Sequence, residues 1–535
     1  MVEGFLKNHR CSNKYEIEKW VKHIILILNL KIISMKIILF IILIISVFNV
    51  SVFSKIMLPS VLSNNMNLLQ NSKIQKNVSP PPKVIQVNFN KKLTKVNGFG
   101  VNITPAQWND GKLKPAIDRL TDDLGATLFR FDCVGLANWL DPARRRADGL
   151  WSDSYLDSVY HSKVFSDSWQ TFRYLNKKGI EPFFNVSGSI HPGLGKQGRE
   201  WNTLSDFDGY AEMVATMLEW ARQKEGLKFS LLAPFNETDL AYPEGPKIDG
   251  KYMLTATQAI IKKLDNHGLT DIKLIAIDDA VPSLNKLEAV LSDSTLAGRI
   301  YAFGTHTYGD ADICDGNGND FVLFSKAIRN SAFRNSSVWL TEYGDLDQTG
   351  EIEFEFAWRS TRRLMKRLDD GFNAALAWDA FDNFHKHDTV WATYGLLKTD
   401  TVNWTYIPKK RFYAAKQVYK FVKPGWKMVE ISIPQTTKFD IYKTWHDSFR
   451  SIRIQAFVSP DGNDYSLVIM NDIESDLDLL IKLNNISDVA LSKNVKLFVT
   501  DKKNNCSMGE KPLVKDHTIR VLLPEHSIST ITTLK

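Results

Sequence analysis

Cysteine is scarce in this chain. Four thiols occur in 535 residues: Cys11, Cys133, Cys314 and Cys506. None forms a CxxC pair or a metal-ligand cluster, and their spacing gives no disulfide framework, which excludes a zinc module or a disulfide-stapled scaffold. Charge of one sign is equally scarce. The formal net charge is +7, and residues 1–54, with seven Lys/Arg and three Glu, carry +4 of it. The +3 left for the rest of the chain is no basic field of the kind nucleic acid requires. No GxGxxG directly follows an apolar run, so a dinucleotide site lacks its main sign. With 44% hydrophobic and 24% charged residues, disordered and collagenous classes are excluded too. The length fits one large domain and a smaller one. Aromatic residues, by contrast, are plentiful: 14 Trp, 16 Tyr and 30 Phe. Most belong in a core, and flat rings left over suit stacking on a ligand.

Residues 24–30 and 37–50 are almost purely apolar, and the second run follows Met35-Lys36 and ends in Val52-Phe53-Ser54. A basic start, a short apolar centre and small residues before a break predict that 1–54 hold an N-terminal extension, 1–34, and a secretory signal peptide with Met35 as the expected start. The apolar centre is short for a membrane span. An uncleaved anchor is the alternative; otherwise no membrane insertion is expected after cleavage. Residues 55–83 are rich in Asn, Ser and Lys and end in Ser79-Pro80-Pro81-Pro82, which predicts a flexible or polyproline spacer.

From residue 96 apolar runs alternate with amphipathic stretches. Eight strands are expected: Gly98–Ile103, Thr127–Asp132, Glu181–Val186, Phe229–Asn236, Ile272–Ile277, Ile300–Thr305, Val338–Tyr343 and Ala374–Trp378. Helical spacing is clearest over 206–222, behind an N-cap expected at Ser205, and over 353–368. Near-continuous apolar strands separated by helices mean a parallel sheet covered by helices. Eight such units over 96–425 predict an α/β fold, a (β/α)8 TIM barrel. After Lys423-Pro424-Gly425 the pattern turns to period-2 strands with polar turns such as Ser459-Pro460-Asp461-Gly462. An all-β sandwich is expected over 426–535, which the strand-like segment 84–95 could complete.

In such barrels reactive groups stand at the carboxyl ends of strands. The fourth strand ends in Asn236-Glu237 and the seventh in Thr341-Glu342. A lone glutamate there is often a salt-bridge or capping group. Two, from strands facing each other across a barrel, can flank one bond, as acid/base and nucleophilic glycoside chemistry requires. Other strand ends are consistent with this. Arg130 could hold a carboxylate ionised, Asn185 ends strand three, His306 and Tyr308 end strand six, and Trp378 could floor a sugar subsite. Asp278-Asp279 reads equally as a subsite contact or a loop cap. His385-Lys386-His387-Asp388 looks like a metal ligand set but reads better as a solvated loop, and Arg144-Arg145-Arg146 as a solvated face. Trp108, Trp139, Trp151 and Trp391 lie in loops, free to stack on sugars or to pack the loops themselves.

These residues resemble the retaining glycoside hydrolases built on the (β/α)8 barrel, and in detail glycoside hydrolase family 30. Val96-Asn97-Gly98-Phe99-Gly100 resembles that family's opening strand, and Phe412-Tyr413-Ala414-Ala415-Lys416-Gln417 through Lys423-Pro424-Gly425 its junction into the sandwich. Ala456–Gly462 and Leu523–Ile528 resemble its sandwich strands. The similarity runs from about residue 84 to 535. It implies Glu237 as general acid/base and Glu342 as nucleophile. It further implies Asn236 on the sugar 2-hydroxyl, and Arg130 and Tyr308 hydrogen-bonded to Glu342 to keep it charged. The loops 102–108 and 187–192 differ from the family's usual sequence, which leaves the sugar open. The expectation is a secreted, monomeric hydrolase of a β-linked glycan, endo-acting, with no cofactor or metal. An exo-acting enzyme and a non-catalytic glycan-binding barrel are the alternatives.

Overall fold

The computed structural model describes residues 82–534 apart from 105–106, 133–136, 241–242, 309–317, 345–352, 383–393, 401, 434–451 and 474. The expected leader, the expected spacer up to residue 81, His385-Lys386-His387-Asp388 and Trp391 lie outside the described residues. Among the described residues no helix is long and apolar enough to cross a membrane.

After a first strand, β1 (Lys83–Lys95), eight strands close a barrel in sequence order. They are β2 (Gly98–Ile103), β3 (Leu128–Asp132), β4 (Phe183–Asn185), β5 (Leu231–Ala233), β6 (Lys273–Asp279), β7 (Ile300–Thr307), β8 (Ser337–Tyr343) and β9 (Ala374–Ala377). Every pair is parallel, and β2 closes the ring on β9 through Gly98↔Ala374. The tight fit explains the glycine of the first strand: a Cβ on Gly100 would lie 1.9 Å from the Leu128 carbonyl oxygen. Inside the barrel, Phe183, Ala233, Ile275, Ala302, Trp339, Ala374 and Leu376 form the packed floor. Small alanines make room for the Trp339 ring, which Phe183 and Tyr301 meet edge-on at 5.8 and 5.6 Å. The floor forces polar groups toward the rim, where the strands' carboxyl ends stand.

Helices cover the outside. The clearest, Phe207–Gln223, buries Tyr210, Met213, Val214, Met217 and Ala221, so cutting Met217 back to Ala costs about 2–5 kcal/mol. Its N-cap is Asp206, whose carboxylate accepts from the Gly209 N–H at 2.8 Å. The expected cap, Ser205, stands one residue too early: the shorter serine hydroxyl instead turns to the Leu194 carbonyl.

A hairpin, β10 (Leu397–Asp400) with β11 (Thr405–Pro408), and the helix Lys410–Tyr419 lead to the second region. Its strands are β12 (Lys427–Ser432), β13 (Ile452–Val458), β14 (Tyr465–Asn471), β15 (Leu477–Asn484), β16 (Lys496–Thr500), β17 (Ser507–Met508), β18 (Leu513–Lys515), β19 (Thr518–Leu523) and β20 (Ser527–Thr532). With β1 they form one ten-stranded sheet in the order β17-β16-β20-β14-β13-β12-β1-β15-β19-β18. The sheet curls over itself into a sandwich. Phe89 of β1 and Tyr465 of β14 meet at 5.6 Å although β13 and β12 separate their strands in the ladder. Ile85, Val87, Leu467, Ile469, Leu479 and Ile481 fill the space between the two halves. The other face rests on the barrel. Thr530 donates to the Gln417 carbonyl at 2.6 Å, Gln455 to that of Met365 at 2.6 Å, and Phe421 stacks on Phe498.

Candidate active site

Glu342 is the last residue but one of β8, and Asn236-Glu237 stand three and four residues past the end of β5. Pro234, which has no N–H to give the ladder, ends β5 well before the apolar run does, and so lifts Asn236 and Glu237 onto the rim. Glu237 takes a left-handed backbone, φ 43°. Its N–H donates to the Asp278 carbonyl at 2.9 Å, which pins the strained turn to β6. Between the glutamates stands His306. Its Nδ1 lies 2.8 Å from Glu237 Oε1 and 3.5 Å from Glu342 Oε2. One carboxylate oxygen of Glu237, one of Glu342 and a ring nitrogen of His306 all fall within 4.8 Å of one another.

Arg130 on β3 organises the floor of this cluster. Its Nη1 donates to Glu342 Oε1 at 2.6 Å and Asn102 Oδ1 at 2.7 Å. Its Nη2 donates to Asn236 Oδ1 at 2.6 Å and Asp278 Oδ2 at 3.0 Å. Tyr308 donates its hydroxyl to the other oxygen of Glu342. Asp278 in turn accepts from Thr341 and lies 3.4 Å from both Asn185 Nδ2 and His306 Nε2. Two cations thus face three carboxyl groups in a nearly dry site. The Arg130 side chain is 0% exposed, Asp278 1% and Glu342 7%. With Glu342 already held by Arg130 and Tyr308, and His306 bonded to Glu237, the three clustered groups make a hydrogen-bonded acid–base cluster rather than an open ligand set.

The electrostatics follow from burial and these neighbours. Burial works against a charge on His306, yet Glu342, Asp278 and Glu237 outweigh it and hold the imidazole's pKa well above its usual value. Burial also works against an ionised Asp278, but Arg130, His306 and Thr341 bring that carboxyl down to about 2. Burial, with the charges of Glu342 and Glu237, keeps the Tyr308 phenol protonated and able to donate. Sequence reasoning sets Glu342 low beside Arg130. The structure differs: burial raises its carboxyl, His306 and Arg130 pull against that, and the charge of Glu237 adds to the rise.

The structure brings seven of the eight expected site residues into this one network: Arg130, Asn185, Asn236, Glu237, His306, Tyr308 and Glu342. Arg130, Asn185 and His306 are 0% exposed, each hydrogen-bonded to protein groups. Asn185 donates to the Phe235 carbonyl at 3.0 Å and so lies beneath the rim. Trp378 is half-buried just past β9, its peptide to Asp379 cis. Trp108, Trp139 and Trp151 are buried at 9% exposure or less and pack the loops. Sequence reasoning missed Asn102 and Thr341 and left Asp278 undecided.

No family model and no curated protein matches the chain. Solved structures do. A family 30 glycoside hydrolase endoxylanase from Clostridium papyrosolvens C71 superposes with a TM-score of 0.60 at 17% identity, covering 84% of this chain and 99% of its own. Its fold is that of the family 30 glycoside hydrolases. An endo-β1,6-glucanase matches with a TM-score of 0.57 at 14% identity over 85% of this chain and 94% of its own. A β-xylosidase from Caulobacter crescentus CB15 matches with a TM-score of 0.53 at 14% identity over 84% and 99%.

Proposed function

We propose that the chain is a secreted, retaining β-glycoside hydrolase that cuts within a β-linked polysaccharide. The observation that carries this is the approach of Glu237 and Glu342, carboxylate oxygens within 4.8 Å, from the ends of β5 and β8. Retaining enzymes hold their carboxyl groups about 5–5.5 Å apart and inverting ones about 6.5–9.5 Å, leaving room for a water. Glu342 attacks the anomeric carbon while Glu237 protonates the departing glycosidic oxygen. The covalent glycosyl-enzyme then yields to a water that Glu237, now a base, deprotonates. Arg130 and Tyr308 aim the two oxygens of Glu342. Asn236, its carbonyl oxygen held by Arg130, keeps its NH2 end to donate to the sugar 2-hydroxyl. Glu237 gives up its proton in the first step and regains one from the attacking water in the second.

The test is a panel of β-linked xylans, glucans and galactans with aryl β-glycosides, read by product size and by the anomer first formed. Oligosaccharides of the β anomer support the proposal. Free monosaccharide alone transfers it to exo action, the mode suggested by the β-xylosidase of the same fold. Tight binding without any product, or an α anomer first, refutes it. Secretion rests on the apolar run 37–50, and N-terminal sequencing of exported protein that still holds this run refutes cleavage.

A further inference from the structure

The strand β6 ends in two adjacent aspartates that ought to point to opposite faces, one inside the barrel and one out. Both are 0% exposed. The backbone explains how. Ile277 and Asp278 adopt φ 76° and 62°, and the pairing of β6 with β7 slips between Ile277 and Asp279. This is a bulge, the device that re-aims a side chain near a site. Non-glycine residues reach such φ values only at a cost of about 1–3 kcal/mol each, so the surroundings must hold them there.

The two carboxylates go to different tasks. Asp278 turns inward to Arg130, His306, Thr341 and Asn185. Arg130 holds Glu342, and His306 holds Glu237. Asp279 turns to the back of the acid/base turn. Its Oδ1 accepts from the Thr238 hydroxyl at 2.6 Å and its Oδ2 from Lys286 Nζ at 2.7 Å. Lys286 donates to the same Thr238 oxygen at 2.7 Å. Thr238 is 0% and Lys286 4% exposed, and Thr238 adjoins Glu237. Asp239 on the same turn closes the loop by accepting from the Ala280 N–H at 3.1 Å. Three hydrogen-bonded links therefore tie the Glu237 turn to the bulge: Glu237 N–H to the Asp278 carbonyl, Thr238 to Asp279, and Asp239 to Ala280.

We propose that the Asp278–Asp279 bulge is the element that sets the spacing of the two glutamates, Asp278 positioning both through Arg130 and His306 and Asp279 fixing the acid/base turn through Thr238 and Lys286. The inference rests on the glycosidase reading above. Neither aspartate touches the reacting atoms, so both are positioning residues, and they make separable demands. Loss of the Asp279 clamp displaces only the proton donor. That matters where the leaving group needs a proton and little where it departs unaided. Loss of Asp278 disturbs both glutamates. It also removes a negative charge from a cluster that includes Arg130, His306, Glu237, Tyr308 and Glu342, with Asp279, Asp239 and Lys286 behind it. A more positive surrounding makes each carboxyl give up its proton at lower pH.

The experiment compares kcat and KM for a 2,4-dinitrophenyl β-glycoside and an unactivated β-glycoside of the same sugar, chosen from those the wild type cleaves. In Asp279→Asn, kcat/KM, which reports the first step, should fall on the order of 10²-fold on the unactivated substrate, the usual effect of an ångström-scale misplacement, while kcat/KM on the dinitrophenyl substrate changes little. In Asp278→Asn, kcat should fall alike on both with KM little moved, and both limbs of the pH profile should shift acid. Thr238→Val and Thr341→Val repeat the two arms with both aspartate charges kept. They serve if an aspartate variant does not fold, and Thr341→Val should lower kcat without moving the pH profile. Equal losses of kcat/KM on the two substrates in Asp279→Asn and Thr238→Val, or an unmoved pH profile in folded Asp278→Asn, overturns the inference alone. A wild type that cleaves nothing overturns the glycosidase reading and this inference with it.

Discussion

Replacing Arg130 by Met tests the charge architecture directly. The guanidinium is fully enclosed and contacts two carboxylates, at 2.6 Å to Glu342 and 3.0 Å to Asp278. At an effective dielectric of about 20, these contacts carry roughly 6 and 5.5 kcal/mol of gross attraction, most of it offset by the cost of drying three charges. A methionine fills similar volume but leaves Glu342 and Asp278 buried without their cation. Breaking a buried pair in this way costs about 3–5 kcal/mol. The penalty must depend on pH. In the wild type Asp278 is held at about 2, below its unfolded value, so its stabilisation is complete above the unfolded pKa and is lost as pH falls toward 2. Without Arg130 the same carboxyl is raised by burial and takes up a proton on folding, which favours the folded variant as pH falls. The gap between the two proteins in urea denaturation, followed by tryptophan fluorescence, should therefore be largest near neutrality and narrow toward pH 4. A gap under about 1 kcal/mol, or one that does not change with pH, would refute the reasoning.

Further expectations concern catalysis and packing. Glu342→Gln should end turnover while sparing substrate binding by calorimetry; residual turnover at the wild-type rate rules Glu342 out as the nucleophile. Glu237→Ala should lose about 10²–10⁴-fold on unactivated substrates and recover with good leaving groups; absence of any recovery removes its acid role. Because burial raises the Glu342 carboxyl and the attacking form is ionised, kcat/KM should fall as pH drops through a value above the ordinary glutamate range. Tyr308→Phe removes a hydrogen bond that lowers the Glu342 pKa, so this acid limb should move to higher pH, and an unmoved limb contradicts the assignment. Gly100→Ala puts a methyl against the Leu128 carbonyl and should yield insoluble protein, as a solubility assay after expression will tell.

The barrel was legible because its strands are apolar runs buried on both faces, and the expected Gly98–Ile103 strand is the one observed. The fourth strand was over-extended because an apolar run does not reveal where Pro234 stops the ladder. Strand β20 has no apolar run to mark it. Its sequence, Ser527–Thr532, is mostly hydroxyl residues, yet Ser527, Ser529, Thr530 and Thr532 are 0% exposed. Thr530 bonds to the Gln417 carbonyl and Thr532 to Ser466, contacts that hydrophobic counting cannot register. At the site, the two glutamates stood out as charges at the ends of apolar runs. Asp278 did not, because its inward turn depends on the φ of two residues and a register slip that leave no mark in composition. A signal was nonetheless present: one arginine inside an apolar strand, Leu128–Asp132, brings five N–H donors, more than one glutamate can accept from.

The position of β1 has a further consequence. The strand is bonded on one side to β12 and on the other to β15, so it waits for its neighbours until more than three hundred residues have followed it. A ribosome making this protein completes the barrel sequence while β1 is still without either partner. The two modules therefore cannot be exchanged as separate cassettes: a barrel cut free at residue 96 leaves a gap in the middle of the sheet, and a grafted sheet must bring its own seventh strand.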